Sequence, residues 1–181
     1  MAGMTTTTLI HRGERPAVRI ECALSHAVER VWAALTVPAE SARWFPSTLT
    51  VEPRVGGTVT FAGDPNTPDS AGTVLEYAAA QHLAFSWGTN ELHFDLVAAS
   101  PETCVLVLTD VLTHENEAAR NAAGWDVCLA QLDVHLSGEE ADGPHGSSAP
   151  SWQQAYDRCV AAGLPSGAPI PGGASRDSGL T

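Results

Sequence analysis

The sequence predicts an α+β domain in which a curved antiparallel sheet wraps around one long C-terminal helix. Three observations carry this. Residues 28–61 place an amphipathic helix, a proline stop, the pair Trp44-Phe45 and a Gly-Gly-centred strand hairpin in one short stretch. From Thr48 to Leu112 short strand-like runs follow each other with no helical period between them, which implies an antiparallel meander. From Glu115 to Ser137 the apolar residues return at helical spacing.

The elements follow in order. Residues 1–16 are polar and read as a flexible N-terminal arm. Ala17–Leu24 alternates Val18, Ile20 and Cys22 against Arg19 and Glu21, the period of a half-buried strand. Ser25 offers an N-cap, and Glu29 sits where the helix dipole favours an acid. Val28, Val31, Trp32 and Leu35 share one helical face, and Pro38 ends that helix because it has no amide proton to donate. A second short helix spans about Ala39–Trp44 and is closed by Pro46. Thr48–Pro53 and Thr58–Ala62 flank the turn signal Val55-Gly56-Gly57, and Gly63–Ser70 is a loop by composition. Gly72–Ala78, Leu83–Trp87, Leu92–Ala98 and Thr103–Leu112 continue the sheet, for six to seven strands in all.

The long helix, about Glu115–Ser137, is expected to be capped by Thr113 or His114 and stopped by Gly138. Its stripe runs Ala118, Ala122, Trp125, Cys128, Leu129, Leu132 and Leu136, with Gly124 as an interruption that lets another backbone approach or the helix bend. Glu139–Pro150 reads as an acidic loop and Ser151–Ala162 as a short terminal helix. Residues 163–181, rich in Gly, Pro and Ser, read as a disordered tail.

Composition bounds the function. A chain of 181 residues with 44% apolar content suits one domain with a real core. The N-terminal residues do not resemble a signal peptide and the apolar runs are too short to span a bilayer, so the expectation is a cytoplasmic protein with no membrane insertion. The net charge of −12, with arginines and no lysine, repels phosphate backbones and argues against nucleic acid as a partner. Arg43 and Arg54 near the short helices read as solvating charges rather than an anion site. Cys22, Cys104, Cys128 and Cys159 show no C-x-x-C spacing and read as inert core thiols, so no metal and no cofactor is expected.

The order of elements resembles the START-like or SRPBCC superfamily, and within it the family related to the heat-shock chaperone ATPase activator (AHSA-like, here as a solo domain). The residues that carry the resemblance are Val31-Trp32-Ala33-Ala34-Leu35-Thr36 with Pro38, then Trp44-Phe45, Gly56-Gly57, and Gly124-Trp125 with Leu129, Leu132 and Gly138. They fall within a START-like domain drawn at residues 17–162. The resemblance implies the helix-grip fold, with the two short helices after the first strand closing one end of the sheet. The additional N-terminal domain that the chaperone activators carry is not expected here, which weighs against their activity.

A sheet with one apolar face must cover it, and one helix cannot cover six or seven strands. The space left between sheet and helix suits a small hydrophobic or amphipathic molecule. Its expected walls are Trp44, Phe45, Phe61, Phe85, Trp87, Phe94, Trp125, Leu129 and Leu132; alternatively these side chains fill the space completely. No G-x-S-x-G, H-E-x-x-H, Walker or dinucleotide motif is present, and no catalytic residue is assigned. His93 and Asp95 share a strand face at the spacing of a His-carboxylate pair and are expected to face solvent. Glu76 and Asp110 raise the same question of facing, since a carboxylate buried among aromatics would be a functional candidate. His114 reads as a cap or surface residue and His135 as facing solvent. Binding of a small molecule is the favoured function. A cyclase/aromatase- or hydrolase-like enzyme using a polar cavity residue is the first alternative, and a chaperone or protein partner, or a homodimer joined at the sheet edges, the second.

Overall fold

The structure, a computed structural model, describes residues 4–170. Eight strands form one antiparallel sheet: β1 Thr5–Arg12, β2 Arg15–Leu24, β3 Thr48–Val51, β4 Thr58–Ala62, β5 Ser70–Ala78, β6 His82–Trp87, β7 Asn90–Ser100 and β8 Thr103–Val111. Their order is β1-β2-β8-β7-β6-β5-β4-β3, so only the contact of β2 with β8 joins strands distant in sequence. Two short helices, α1 Val28–Thr36 and α2 Pro38–Ser41, lead from β2 to β3. A 3₁₀ turn at Glu115–Glu117 leads into the long helix α3, Ala118–Leu136, and α4, Trp152–Ala161, closes the described chain. This is the helix-grip arrangement.

Residues 5–12, read from sequence as part of a flexible arm, form β1 instead. They pair along their whole length with β2, from Thr5 opposite Cys22 to Arg12 opposite Arg15. An edge strand needs a backbone partner more than an apolar face, and threonine is a good strand former. This strand raises the count above the six to seven expected. The first part of the expected disordered tail is also ordered: the Ala119 and Ala168 amides donate to the carbonyls of Pro165 and Asn116. The rest of that tail, residues 171–181, lies outside the described residues.

Helix ends differ in detail. The N-cap of α1 is Ala27, without a side-chain cap, so Ser25 falls two residues too early. Pro38 ends α1 and serves as the first residue of α2, where its missing amide proton costs nothing. Ser41 then stitches the corner, its hydroxyl donating to the Pro38 carbonyl and accepting from the Leu49 amide. The turn at Gly56 has φ +77°, a conformation that needs glycine. At the end of α3, Gly138 has φ +86°, its amide donates to His135, and the Glu139 amide donates to Val134. That pair of bonds is a Schellman stop. Neither His114 nor Thr113 caps the helix through a side chain.

The core lies between the concave face of the sheet and α1, α2 and α3. Val18, Ile20, Leu83, Phe85, Leu92, Phe94, Leu106 and Leu108 point inward from alternate strand positions and are fully buried. All four cysteines are buried and free. His135, expected in solvent, is half-buried and contacts Glu40 Oε2 at 3.1 Å, and Glu40 also takes an ion pair from Arg30. Burial works to raise the Glu40 carboxyl, but the bonds from Arg30 and His135 outweigh it and hold it below the ordinary range. No helix among the described residues is long and apolar enough to cross a membrane.

Candidate functional site: an acid at the wall of a cavity

Between one end of α3, the ends of β6–β8 and the 67–70 segment lies a cavity of about 670 Å³. Three tryptophans line it: Trp87 at the end of β6, Trp125 on α3 and Trp152 at the start of α4. Polar groups gather on one wall, from Asn90 and Asp110 on the sheet to Glu117, Arg120 and Asn121 at the start of α3. The volume is in the range that holds small organic ligands.

Asp110 is the centre of that wall. Alternation along β8 aims Leu106, Leu108 and Asp110 at the same face, so a carboxylate stands where the next core residue would be. Its Oδ2 accepts hydrogen bonds from Trp125 Nε1 at 3.0 Å and Asn121 Nδ2 at 2.9 Å, and Oδ1 accepts from Asn90 Nδ2 at 3.2 Å. A carboxylate can accept about four hydrogen bonds, so acceptor capacity remains beyond these three. Burial pushes the Asp110 carboxyl above the ordinary range, against the opposing pull of those three donors.

The donors are themselves oriented. The Asn121 amide oxygen accepts from Arg120 Nε at 2.9 Å, which turns its NH₂ toward Asp110. Arg120 in turn donates to the Pro169 carbonyl at 2.9 Å and lies 3.9 Å from Glu117. Asn90 is fixed the same way, its oxygen accepting from the Thr113 hydroxyl at 3.2 Å. An acid held on the cavity wall by pre-aimed amides can accept a hydrogen bond from a ligand or, carrying a proton, donate one.

Among the nine expected wall residues, Trp87 and Trp125 reach the cavity. Trp44, Phe45, Phe61, Phe85, Phe94 and Leu132 are packed into the core behind them. Phe45 backs both tryptophans, 5.3 Å from Trp87 and 5.6 Å from Trp125 between ring centroids. Trp44 is anchored by Nε1 donating to the Ala34 carbonyl at 2.8 Å. Leu129 faces a second, smaller hollow of about 240 Å³ between α3, α4 and the β1–β2 pair. The aromatics thus fill much of the interior, and the open volume lies at one end of it. Gly124 and Cys128 complete the helical wall, and burial pushes the Cys128 thiol far up, so it is no thiolate nucleophile. Asn90, Asn121 and Trp152 were not singled out from sequence; Asn121, one turn before Trp125 on the stripe side of the helix, was the available signal.

His93 and Asp95 do not pair with each other. His93 is buried and lies 3.4 Å from Glu91, while Asp95 bonds His82 Nδ1. Burial, with Arg12 nearby, holds the His93 imidazole below its usual range. Both histidines are on the sheet face opposite the cavity.

Comparison with known proteins matches this architecture. EF2215 of Enterococcus faecalis, a conserved protein of unknown function, superposes with a TM-score of 0.69 at 22% identity, over 86% of this chain and 89% of its own. CalU16 of Micromonospora echinospora gives 0.67 at 22% identity, over 88% and 95%. DynU16, from the dynemicin biosynthetic locus, gives 0.60 at 22% identity, over 70% and 50%. No curated protein matches the chain. The family model for Activator of Hsp90 ATPase homolog 1-like protein matches residues 25–137, the span from the approach to α1 to the end of α3, and the chain belongs to that family.

Proposed function

We propose that this protein binds a small amphipathic molecule in the cavity, with a flat apolar part against Trp87, Trp125 and Trp152 and a hydrogen-bonding end at Asp110. The observation that carries the reading is Asp110 itself: a buried acid whose donors are aligned by second partners, placed on the wall of an open volume. A structural core position would be filled by leucine at lower cost. Tryptophans supply broad apolar faces at small entropic cost, which suits a planar or polycyclic ligand. The likeness to DynU16 is in keeping with a ligand that belongs to a biosynthetic route.

The test is native mass spectrometry of protein purified from its own host, with Asp110→Asn and Trp87→Ala beside it. Retention of one small molecule by the native protein, weakened at least tenfold in both variants, is the expected result. A native protein without any bound molecule, together with a stable complex with another protein that survives moderate salt, would shift the reading to an interaction module.

A second reading, catalysis, is favoured by the upward displacement of the Asp110 carboxyl, since an acid brought nearer neutrality can give and take protons at the cavity wall. It predicts that the retained molecule is converted by the native protein and left unchanged, though still bound, by Asp110→Asn.

A further inference from the structure

The geometry points to a second site: Glu76, His82 and His93, on the sheet face opposite the cavity, hold a divalent transition-metal ion of the zinc type. Sheet register assembles the group. Ala84, fully buried, is paired with Glu76 on one side and with His93 on the other, so the two stand on one face with only a methyl group between them. His82 lies two residues away on the same face of β6. Glu76 reaches this face only because the pairing of β5 with β6 slips between Val74 and Glu76. Unbroken alternation from the buried Val74 would have put Glu76 on the core side; the bulge at Leu75 turns it over, and Tyr77 resumes the core side against Trp32.

The two imidazoles are held alike on one side and differ on the other. One nitrogen of each is committed to an acid: His82 Nδ1 to Asp95, and His93 Nε2 to Glu91 at 3.4 Å. The other nitrogen of each is buried without a hydrogen-bond partner. His82 Nε2 lies 2.6 Å from Glu76 Oε2, close in distance but off the alignment that a hydrogen bond requires. His93 is 3% exposed and its Nδ1 has no partner at all. For His93, an N–H directed at Glu91 leaves the Nδ1 lone pair free, as in histidines that ligate metals; between His82 Nε2 and Glu76 Oε2 two lone pairs would repel, so a cation or a proton belongs between them.

One ligand atom from each of Glu76, His82 and His93 lies within 4.8 Å of the other two. Metal–ligand bonds of about 2.0–2.1 Å in a tetrahedral site put ligands roughly 3.4 Å apart, so the 2.6 Å contact of His82 with Glu76 must widen and the longer separations, up to 4.8 Å, must shorten. Glu76 is half-exposed and His82 is part-exposed, so both side chains have room to shift. Two imidazoles and a carboxylate select zinc and its neighbours over calcium or magnesium, which prefer all-oxygen shells. The competing charge is Arg12, 3.9 Å from Glu76 on a half-exposed side chain free to turn into solvent. The fourth position is open to water, which would leave the ion accessible.

The experiment is titration of the chelator-treated full chain with zinc chloride by calorimetry, and with cobalt chloride by visible absorption. One equivalent of zinc bound with a micromolar or lower Kd, a cobalt spectrum with the intense bands of four-coordination, and a raised melting temperature are expected. His82→Asn and Glu76→Gln, both at positions that are not fully buried, should each weaken zinc at least tenfold while keeping the metal-free circular dichroism of the parent. Absence of saturable binding by the native chain would overturn the assignment. So would zinc affinity unchanged in both variants, which would place the ion at another histidine such as His145 beside Asp64.

Discussion

Replacing Asp110 with asparagine separates the charge of that residue from its shape. The unfolded chain ionises this carboxyl at about pH 3.9, and burial raises it in the folded state. The folded protein therefore holds its proton to higher pH than the unfolded chain does. Its contribution is most favourable below the unfolded value and declines as pH rises toward the folded one. Asp110→Asn is expected to melt at or above the native temperature at neutral pH, with the gap closing below about pH 4. Thermal melts across pH check this; a gap that widens on acidification would mean that the three donors hold the acid below its ordinary range. Trp125 combines two roles, since it packs on Phe45 and Trp87 and donates to Asp110. Trp125→Ala should cost about 3–5 kcal/mol in denaturant unfolding. Trp125→Phe should keep most of that packing while disturbing Asp110, so ligand affinity should fall further than stability.

At the scale of elements, α3 carries an interruption that the site explains. A Cβ on Gly124 would meet nothing nearer than Trp152 Nε1 at 4.0 Å, across the cavity. Gly124→Ala should therefore stabilise the protein by about 0.5–1 kcal/mol through helix propensity, and weaken a ligand by narrowing the space it occupies. A measured loss of stability would show that the helix needs glycine at this turn. This helix was legible in the sequence because its stripe, its glycine stop and its length agree. The inward strands from β2 to β8 were legible for the same reason, through their alternation. β1 was not, because a threonine-rich edge strand is defined by its backbone partner and has little apolar pattern to read. The β5 bulge was hidden too: nothing in Val74-Leu75-Glu76-Tyr77 marks the slip, yet it decides the face on which Glu76 stands. The site was half legible. Aromatics at core spacing name the interior without saying which of them stop short of filling it, so Trp44 and Phe45 could not be told from Trp87 and Trp125. Asp110 did leave a trace, as an acid continuing the inward series of Leu106 and Leu108.

For the molecule as a whole, a charge of −12 makes folding work against its own repulsion. Ion pairs such as Arg15–Glu91 and Arg30–Glu40 are partly exposed and offset little of it. Raising salt from about 0.01 M to 0.15 M shortens the screening length from roughly 30 to 8 Å, and the melting temperature should rise by a few degrees. A fall would show that local pairs outweigh the general repulsion.

The place of β8 in the sheet has a kinetic side. It lies between β2 and β7, bonded on both edges, so Asp110 is fixed to a strand that cannot open without breaking the middle of the sheet. The opposite wall is of another kind: residues 67–70 and Trp152 belong to a loop, a strand end and a short helix, and the segments that lead into them meet in an exposed contact of Asn66 with His145. Backbone amides of 104–111 should exchange with deuterium only as the whole protein unfolds, and those of 64–69 and 145–152 orders of magnitude sooner. The residence time of a ligand would then be set by how often that loose wall opens, while its orientation is set by the strand that does not move.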